Sequence, residues 1–475
     1  MAEKQRILGL DALRGLAILG MVLSGVVPYG SLPAWMYHAQ LPPPEHQFTP
    51  SVSGLTWVDL VFPMFIFCLG AAIPLALNRR IEKGQSLREI LIGSVGKRIF
   101  LLGSFAIIVQ HIRPYSLAGH PSHLSWLYAL GGFFLLFLVY TRLDRFQSLD
   151  KKVVLGLRIL GWGGIVLLFS LAVFKGENSN FTLYRSDIIL IVLTNMAFWG
   201  ALIWLFTRQR TYLRWWMMAA VALLHFSKNA DSSWMALFFG NSPIPWIFKT
   251  DYLVYLIVVF PALEVGDYLN RVMASGVESP QSELKRISEY GSVLLPIVST
   301  LTLLVGIQGG YVTTTFTGIL FLTLLSWLLI KTDSNESIYG KLNHYLLKTG
   351  FLLVILGMFA IPVSGGVNKD PVSVSYLLIT GGISMHLLLL LNKIFERSRS
   401  PFGLRILISN GKNPMIAYVG IYNAILPVFA LLNIKSYYDM LNQWPWIGVL
   451  KAVVITALLA WMVHGITRLQ IYWRT

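Results

Sequence analysis

The chain of 475 residues has a single cysteine, few charged residues and a shortage of acids. One cysteine, Cys68, cannot close an intrachain disulfide, and no Cys or His stands near it at metal-ligand spacing, so no disulfide scaffold and no metal site are expected. Charged residues make up 13% of the chain against 55% apolar ones, and mean hydropathy is +0.64. That balance excludes the two or three soluble domains that this length would otherwise suggest. With 22 Asp and Glu against 38 Lys and Arg, a soluble protein would be a candidate for nucleic-acid binding. Here the bases sit in short loops between apolar runs of about 18 to 22 residues. They therefore orient helices in a membrane, and no nucleic-acid partner is expected. Low-complexity tracts, internal repeats and soluble insertions are also lacking, so 1–475 reads as one integral membrane domain.

What the chain does contain is spanning-length apolar sequence. Candidate spans lie near 8–29, 54–77, 98–112, 124–141, 154–174, 187–207, 211–226, 251–269, 290–308, 312–330, 347–365, 374–392, 412–433 and 446–467. The expected fold is an all-α polytopic bundle of about 12 to 14 spans. The first run follows Lys4 and Arg6 as a secretory signal would, yet Asp11 and Arg14 interrupt it and it is long enough to span, so an uncleaved helix is expected. Residues 230–248 hold a further apolar patch that could re-enter the membrane. With the N-terminus inside, the inner loops carry 28 Lys and Arg and the outer loops 7, which predicts cytoplasmic N- and C-termini.

The outer loop of residues 30–53 holds no Lys or Arg, but has Trp35, Tyr37, His38, Gln40, Pro42 to Pro44 and His46. Prolines fix its backbone, Trp35 and Tyr37 can stack on an apolar sugar face, and His38 can exchange protons near neutral pH. An ordinary interfacial aromatic belt explains the same letters. Asp59 follows at the outer end of the second helix, one turn before Pro63. A carboxylate there needs a partner, and either orienting a histidine or capping a kinked helix satisfies it. Asp11 and Arg14, three residues apart on one helical face, read as an internal pair. Late in the chain, Asn368, Lys369, Ser373 and Tyr376 gather hydrogen-bond donors suited to a carboxylate or hydroxyl-rich ligand, or to a capped turn. On the inner side, Asn410 to Met415 opens the thirteenth span, and Lys412 with Arg405, Arg399 and Arg397 would suit phosphates as well as a positive-inside loop.

Four stretches together resemble the transmembrane acyltransferases typified by heparan-α-glucosaminide N-acetyltransferase and its bacterial relatives. They are Arg6 to Gly15, the loop with Tyr37, His38 and Ala39, the run Trp57 to Pro63 with Gly70, and Asn368-Lys369 leading to Tyr376; Gly411 to Tyr418 is a fainter fifth. The resemblance implies transfer of an acyl group, chiefly acetyl, from cytosolic acetyl-CoA as co-substrate to an amine or hydroxyl of a sugar or glycan across the membrane. It implies His38 as general base or acyl-carrying nucleophile, with Asp59 beside it. Acyl-CoA then falls to Arg14, Lys412, Asn413 and Arg399, and the acceptor to Trp35, Tyr37, Asn368, Lys369 and Tyr376. The setting implied is a bacterial inner membrane with the His38 loop periplasmic, with membrane lipid, acyl-CoA and the glycan as partners and a homodimer as the candidate assembly. This chain departs from the family at Gly25, where the family has an asparagine, and at His120 to Trp126, where the family has an Ile-Pro-Gly-Val-Leu-Gln-Arg type stretch. A secondary transporter of a small polar or anionic solute is the competing reading, since intramembrane charges and Gly-interrupted helices occur there too.

Overall fold

A computed structural model describes residues 8–143, 150–176, 179–229, 234–275, 287–332, 338–397 and 402–473. Among these the protein is all-helical, with isolated bridges such as Leu117 with Phe174 but no strand. All fourteen sequence-read spans fall on helices: α1 Leu8–Val26, α2 Trp57–Glu82, α3 Glu89–His111, α4 His123–Tyr140, α5 Lys151–Leu171, α6 Ile188–Thr207, α7 Leu213–Phe226, α9 Leu256–Ala274, α10 Ile287–Gln308, α11 Val312–Thr332, α12 Ile338–Ser364, α13 Val374–Arg397, α15 Pro414–Leu431 and α17 Pro445–Arg468. Three short helices complete the set: α8 Trp234–Gly240, α14 Phe402–Lys412 and α16 Lys435–Met440. Twelve of the described helices are long and apolar enough to cross a membrane, which makes this an integral membrane protein; the apolar stretches Leu213–Phe226 and Val312–Leu328 are shorter.

Two expectations are corrected. The third span starts at Glu89 through a π-helical segment, Glu89–Gly96, because Ile90, Leu91 and Ile92 extend the apolar run past the bases that marked a loop. Lys412 does not stand at a helix N-terminus: it ends α14, and Asn413 separates it from Pro414, the first residue of α15. Residues 402–412 form their own helix because Leu404, Leu407 and Ile408 recur at helical spacing and lie on the core.

Burial orders the bundle. In the apolar window of α13, 89% of residues are buried, against 17% in α5. Thus α13 is central and α5 turns most of its surface outward to lipid. Around α13 pack α12, α1, α2 and α9, while α1 also meets α14 and α2 meets α6 and α9. Small residues permit the closest crossings. A Cβ at Gly382 on α13 would lie 2.5 Å from the Gly350 carbonyl oxygen on α12, and a Cβ at Gly15 would lie 1.9 Å from that of Leu407 on α14.

Several charges inside the bundle are held by polar partners, as a low-dielectric setting favours. Buried Arg214 donates to Asp267 at 2.7 Å, and Trp204 donates to the other oxygen of that carboxylate at 2.8 Å. Arg158 donates to the carbonyls of Leu138, at 2.9 Å, and Thr141 at the end of α4. Asp11 and Arg14 pair at 3.4 Å, as their spacing predicts.

Candidate active site

The geometry starts at the first turn of α2. Thr56 has the extended backbone of an N-cap, and Asp59 is the third helical residue. One carboxylate oxygen of Asp59 accepts the backbone N–H groups of Thr56 and Ala39, each at 3.1 Å, and lies 3.0 Å from the Thr56 hydroxyl. That hydroxyl is also 2.7 Å from the Tyr37 carbonyl and, having one proton, donates to one of the two at a time. The other oxygen of Asp59 is 2.7 Å from Nδ1 of His38. The two roles foreseen for Asp59 are therefore split between its oxygens: one caps the helix and the other holds the imidazole. Asp59 is 3% exposed and His38 30%, so water and solutes reach the ring but not its carboxylate. With Asp59 ionised, Nδ1 carries the ring proton and Nε2 keeps its lone pair.

Pro63 has no N–H to give to the carbonyl of Asp59, four residues earlier. The Tyr376 hydroxyl from α13 takes that place, donating to the Asp59 carbonyl at 2.6 Å. A helix break that would leave a buried acceptor is thereby satisfied from a distant element.

The loop between α12 and α13 is fastened to the His38 loop. Gly54 donates to the Val367 carbonyl at 3.0 Å, and Val367 donates to the Ser53 hydroxyl at 2.7 Å. The buried Gln40 amide donates to the Asp370 carbonyl at 2.6 Å and accepts from the Asp370 N–H at 2.9 Å. This clamp sets Lys369 against His38, with Nζ 3.1 Å from each ring nitrogen. Burial lowers the Lys369 pKa, while the carboxylates of Asp59 and Asp370 act the other way.

Two cavities meet here. One, of about 340 Å³, is lined by Arg14, Arg98, Arg142 and Lys412 with Asp11 as the one lining carboxylate among the described residues, and by Asn413, Trp473 and apolar groups. The other, of about 180 Å³, is lined by His38, Lys369, Arg113, Ser24, Gly25 and Tyr422 among apolar residues of α1, α2 and α15. Met21, Ile189 and Tyr418 line both.

The sequence-read residues are distributed as follows. His38 and Lys369 share the smaller cavity, with Asp59 directly behind the histidine; Arg14, Lys412 and Asn413 share the larger one. Arg399 lies outside the described residues. Tyr37 is buried, its hydroxyl donating within the loop to Pro28 or Gly30 at 3.1 and 3.3 Å, and burial raises its pKa. Tyr376 is buried on the Asp59 carbonyl, Asn368 turns its side-chain N–H back to the Gly365 carbonyl at 3.3 Å, and Trp35 lies on an exposed turn. Asn413 holds Thr467 at 2.9 Å and the Ile471 carbonyl at 2.8 Å, and accepts from the Trp473 N–H at 3.2 Å.

Sequence reasoning missed Arg98, Arg142, Arg113 and Tyr422 as site residues. The three arginines entered only the count of loop charges, and nothing local separates them from their neighbours. Arg113 is held by Asp187 at 2.9 Å; Tyr418 donates to the same carboxylate oxygen at 2.8 Å, while the other oxygen caps α6 by accepting the Leu190 N–H at 3.2 Å. Tyr422 donates to the Gly25 carbonyl at 2.5 Å, and a Cβ at Gly25 would lie 3.2 Å from that hydroxyl. The phenol of α15 therefore occupies the ground where a side chain at position 25 would begin.

The sequence is similar to heparan-alpha-glucosaminide N-acetyltransferase from Homo sapiens, 35% identical over 105 residues, which are 22% of this chain and 14% of that protein. The protein of the same name from Mus musculus is 35% identical over 108 residues, 23% of this chain and 14% of its own length. The similarity is thus confined to about a fifth of this chain and one seventh of each relative. A broader match covers residues 6–269, more than half of the 475, and on it the chain belongs to the family described as Domain of unknown function (DUF5009).

Proposed function

We propose that this protein is an acyl-CoA-dependent transmembrane acyltransferase that carries an acetyl group to a sugar or glycan hydroxyl or amine on the far side of the membrane. The observation that carries the reading is the pair of adjoining cavities, one basic and one built around His38, with Met21, Ile189 and Tyr418 common to both. Arg14 and Gly25 mark the two cavities on α1, eleven residues apart, or roughly 16 Å at about 1.5 Å per residue. An extended pantetheine arm matches that span. The pyrophosphate end of acetyl-CoA would lie among Arg14, Arg98, Arg142 and Lys412, and the thioester beside His38. The basic end faces the cytoplasm and the His38 end the periplasm of a bacterial inner membrane, in keeping with the loop charges.

His38 would act through Nε2. As general base it takes the proton of the acceptor as its oxygen or nitrogen attacks the thioester carbon; as nucleophile it first receives the acyl group itself. In either course the C–S bond breaks and the Asp59 carboxylate stabilises the imidazolium that forms. Tyr422, standing where the family has its asparagine, would hydrogen-bond the reacting group. The relatives are named for N-acetylation of a glucosaminide, and a sugar acceptor here rests on that likeness.

The test is incubation of detergent-purified protein with radiolabelled acetyl-CoA and a panel of amino and neutral sugars beside His38→Ala. Label transfer that vanishes in the variant is the expected result. Tight acetyl-CoA binding with the same transfer in both proteins would remove His38 from the chemistry, and absence of acetyl-CoA binding would overturn the reading.

The basic cavity makes a separate prediction. Loss of one charge-assisted contact to phosphate costs about 1.5–3 kcal/mol, so Arg98→Ala should raise the KM for acetyl-CoA by about tenfold or more. The KM for acetyl-pantetheine, which lacks the nucleotide, should stay unchanged. Equal effects on both substrates would place Arg98 in structure and not in phosphate binding.

A further inference from the structure

We propose that Lys369 is the second proton-transfer group of the site, giving its proton to the departing thiolate and recovering one from His38; this rests on the acyltransferase reading and deepens it. The argument begins with what His38 alone leaves undone. Transfer to a hydroxyl forms an ester and releases a thiolate, and the acceptor's proton ends on Nε2 of His38, on the acceptor side. The thiolate leaves into a cavity whose lining, among the described residues, includes no carboxylic acid to protonate it.

Lys369 supplies that proton in the right place. Lys369 lines the same cavity as His38, and its Nζ is 3.1 Å from Nε2. It is equally 3.1 Å from Nδ1, but Nδ1 is committed to Asp59 at 2.7 Å, which leaves Nε2 as the ring atom able to exchange protons with it. Its placement is built and not incidental. Gln40, two residues beyond His38, grips both backbone polar groups of Asp370, the neighbour of Lys369, across 330 residues of sequence. The groups facing Lys369 are His38 from the first outer loop, Asp59 from α2, Asp370 from its own loop with Tyr255 beside it, and Arg113, Tyr418 and Tyr422 across the cavity. Burial already lowers its pKa, which brings an ammonium towards the range of a thiol near 8.5.

The balance closes without a further reactant. The acceptor O–H bond breaks and its proton goes to His38 Nε2; the C–O bond forms and the C–S bond breaks; an N–H proton of Lys369 goes to sulfur, releasing the free thiol. Neutral Lys369 then takes the proton from His38 over 3.1 Å, restoring the ammonium and the neutral imidazole. The return step is downhill, because an alkylamine is ordinarily a much stronger base than an imidazole.

The experiment compares two acetyl thioesters lacking the nucleotide: acetyl-pantetheine, with an alkyl thiol, and the acetyl ester of 5-thio-2-nitrobenzoic acid, whose thiolate is stable without a proton. Loss of a general acid costs about 10²–10⁴-fold, so Lys369→Met should be slower than wild type by at least about 100-fold on acetyl-pantetheine. On the aryl thioester the loss should shrink below about tenfold. Lys369→Arg, which keeps the charge but cannot give up its proton, should behave as Lys369→Met. His38→Ala should fail on both thioesters. The aryl-thioester rate of each Lys369 variant also reports that its site is folded. Equal losses on the two thioesters, or full activity of Lys369→Arg on acetyl-pantetheine, would overturn the assignment and make Lys369 a positioning charge. Absence of transfer by the wild-type protein from both thioesters and from acetyl-CoA would overturn the acyltransferase reading and this assignment with it.

Discussion

Asp59→Asn is expected to lower acyl transfer by about 10³–10⁴-fold while leaving the bundle folded. A carboxylate only accepts hydrogen bonds, and the N–H groups around Asp59 all donate to it: His38 Nδ1 at 2.7 Å and the backbone of Ala39 and Thr56 at 3.1 Å. An asparagine has one acceptor oxygen. Two backbone N–H groups converge on the buried Oδ2 position, so the amide oxygen settles there and the NH₂ turns to His38. Nδ1 must then accept, the ring proton moves to Nε2, and the atom that faces the cavity can no longer take a proton. The helix cap survives the exchange, so thermal unfolding in detergent should shift little. Asp59→Ala behaves differently, because it strips the cap as well; an N-cap interaction alone is worth about 1 kcal/mol, and the protein should melt earlier. Turnover of Asp59→Asn within threefold of wild type would show that the imidazole needs no tautomer control and that the 2.7 Å contact serves structure only.

The contrast between Asp59 and Tyr422 shows what a sequence of this kind discloses. Helix positions were legible because a membrane span needs about 20 apolar residues wherever it lies, and fourteen such runs fall on fourteen helices. His38 and Asp59 were legible because they are close in sequence and out of place in their surroundings: a histidine in a base-free loop and an acid at the head of an apolar helix. Arg113, Tyr422 and the Gln40 clamp were not legible. Each depends on a partner from 330 to 397 residues away or on the far wall of a cavity, and neither periodicity nor composition encodes such a meeting. Lys412 was misplaced for a different reason. The eleven residues of α14 are too short to register as a span, and with Arg405 and Lys412 among them they read as an inner loop leading into the next helix, whereas Lys412 ends a helix of its own.

That same short helix carries the largest structural prediction. Gly411→Ala should destabilise the protein beyond the ~1–3 kcal/mol usual for overpacking, with a lower Tm in detergent and weakened acetyl-CoA binding together. A Cβ on Gly411 would lie 1.8 Å from the Asp11 carbonyl oxygen, 2.8 Å from its carbon and 3.0 Å from the Gly15 nitrogen. All three are backbone atoms of α1, so no side chain can rotate away and the helices must separate. Separation pulls the Gly411 carbonyl from the Arg14 guanidinium, now 3.2 Å away, and moves Lys412 and Asn413 where they line the basic cavity. Gly156→Ala on α5 is the matched control: a Cβ there meets nothing within 4 Å, and in an open helical position alanine is favoured over glycine by about 1 kcal/mol. Its Tm should equal or exceed that of wild type, with acetyl-CoA binding intact. If Gly411→Ala melts with the control, α1 and α14 are not in backbone contact. If it melts early but still binds acetyl-CoA normally, the cavity is held by α15 and α17 and not by this crossing, and Arg14 owes its position to α1 alone.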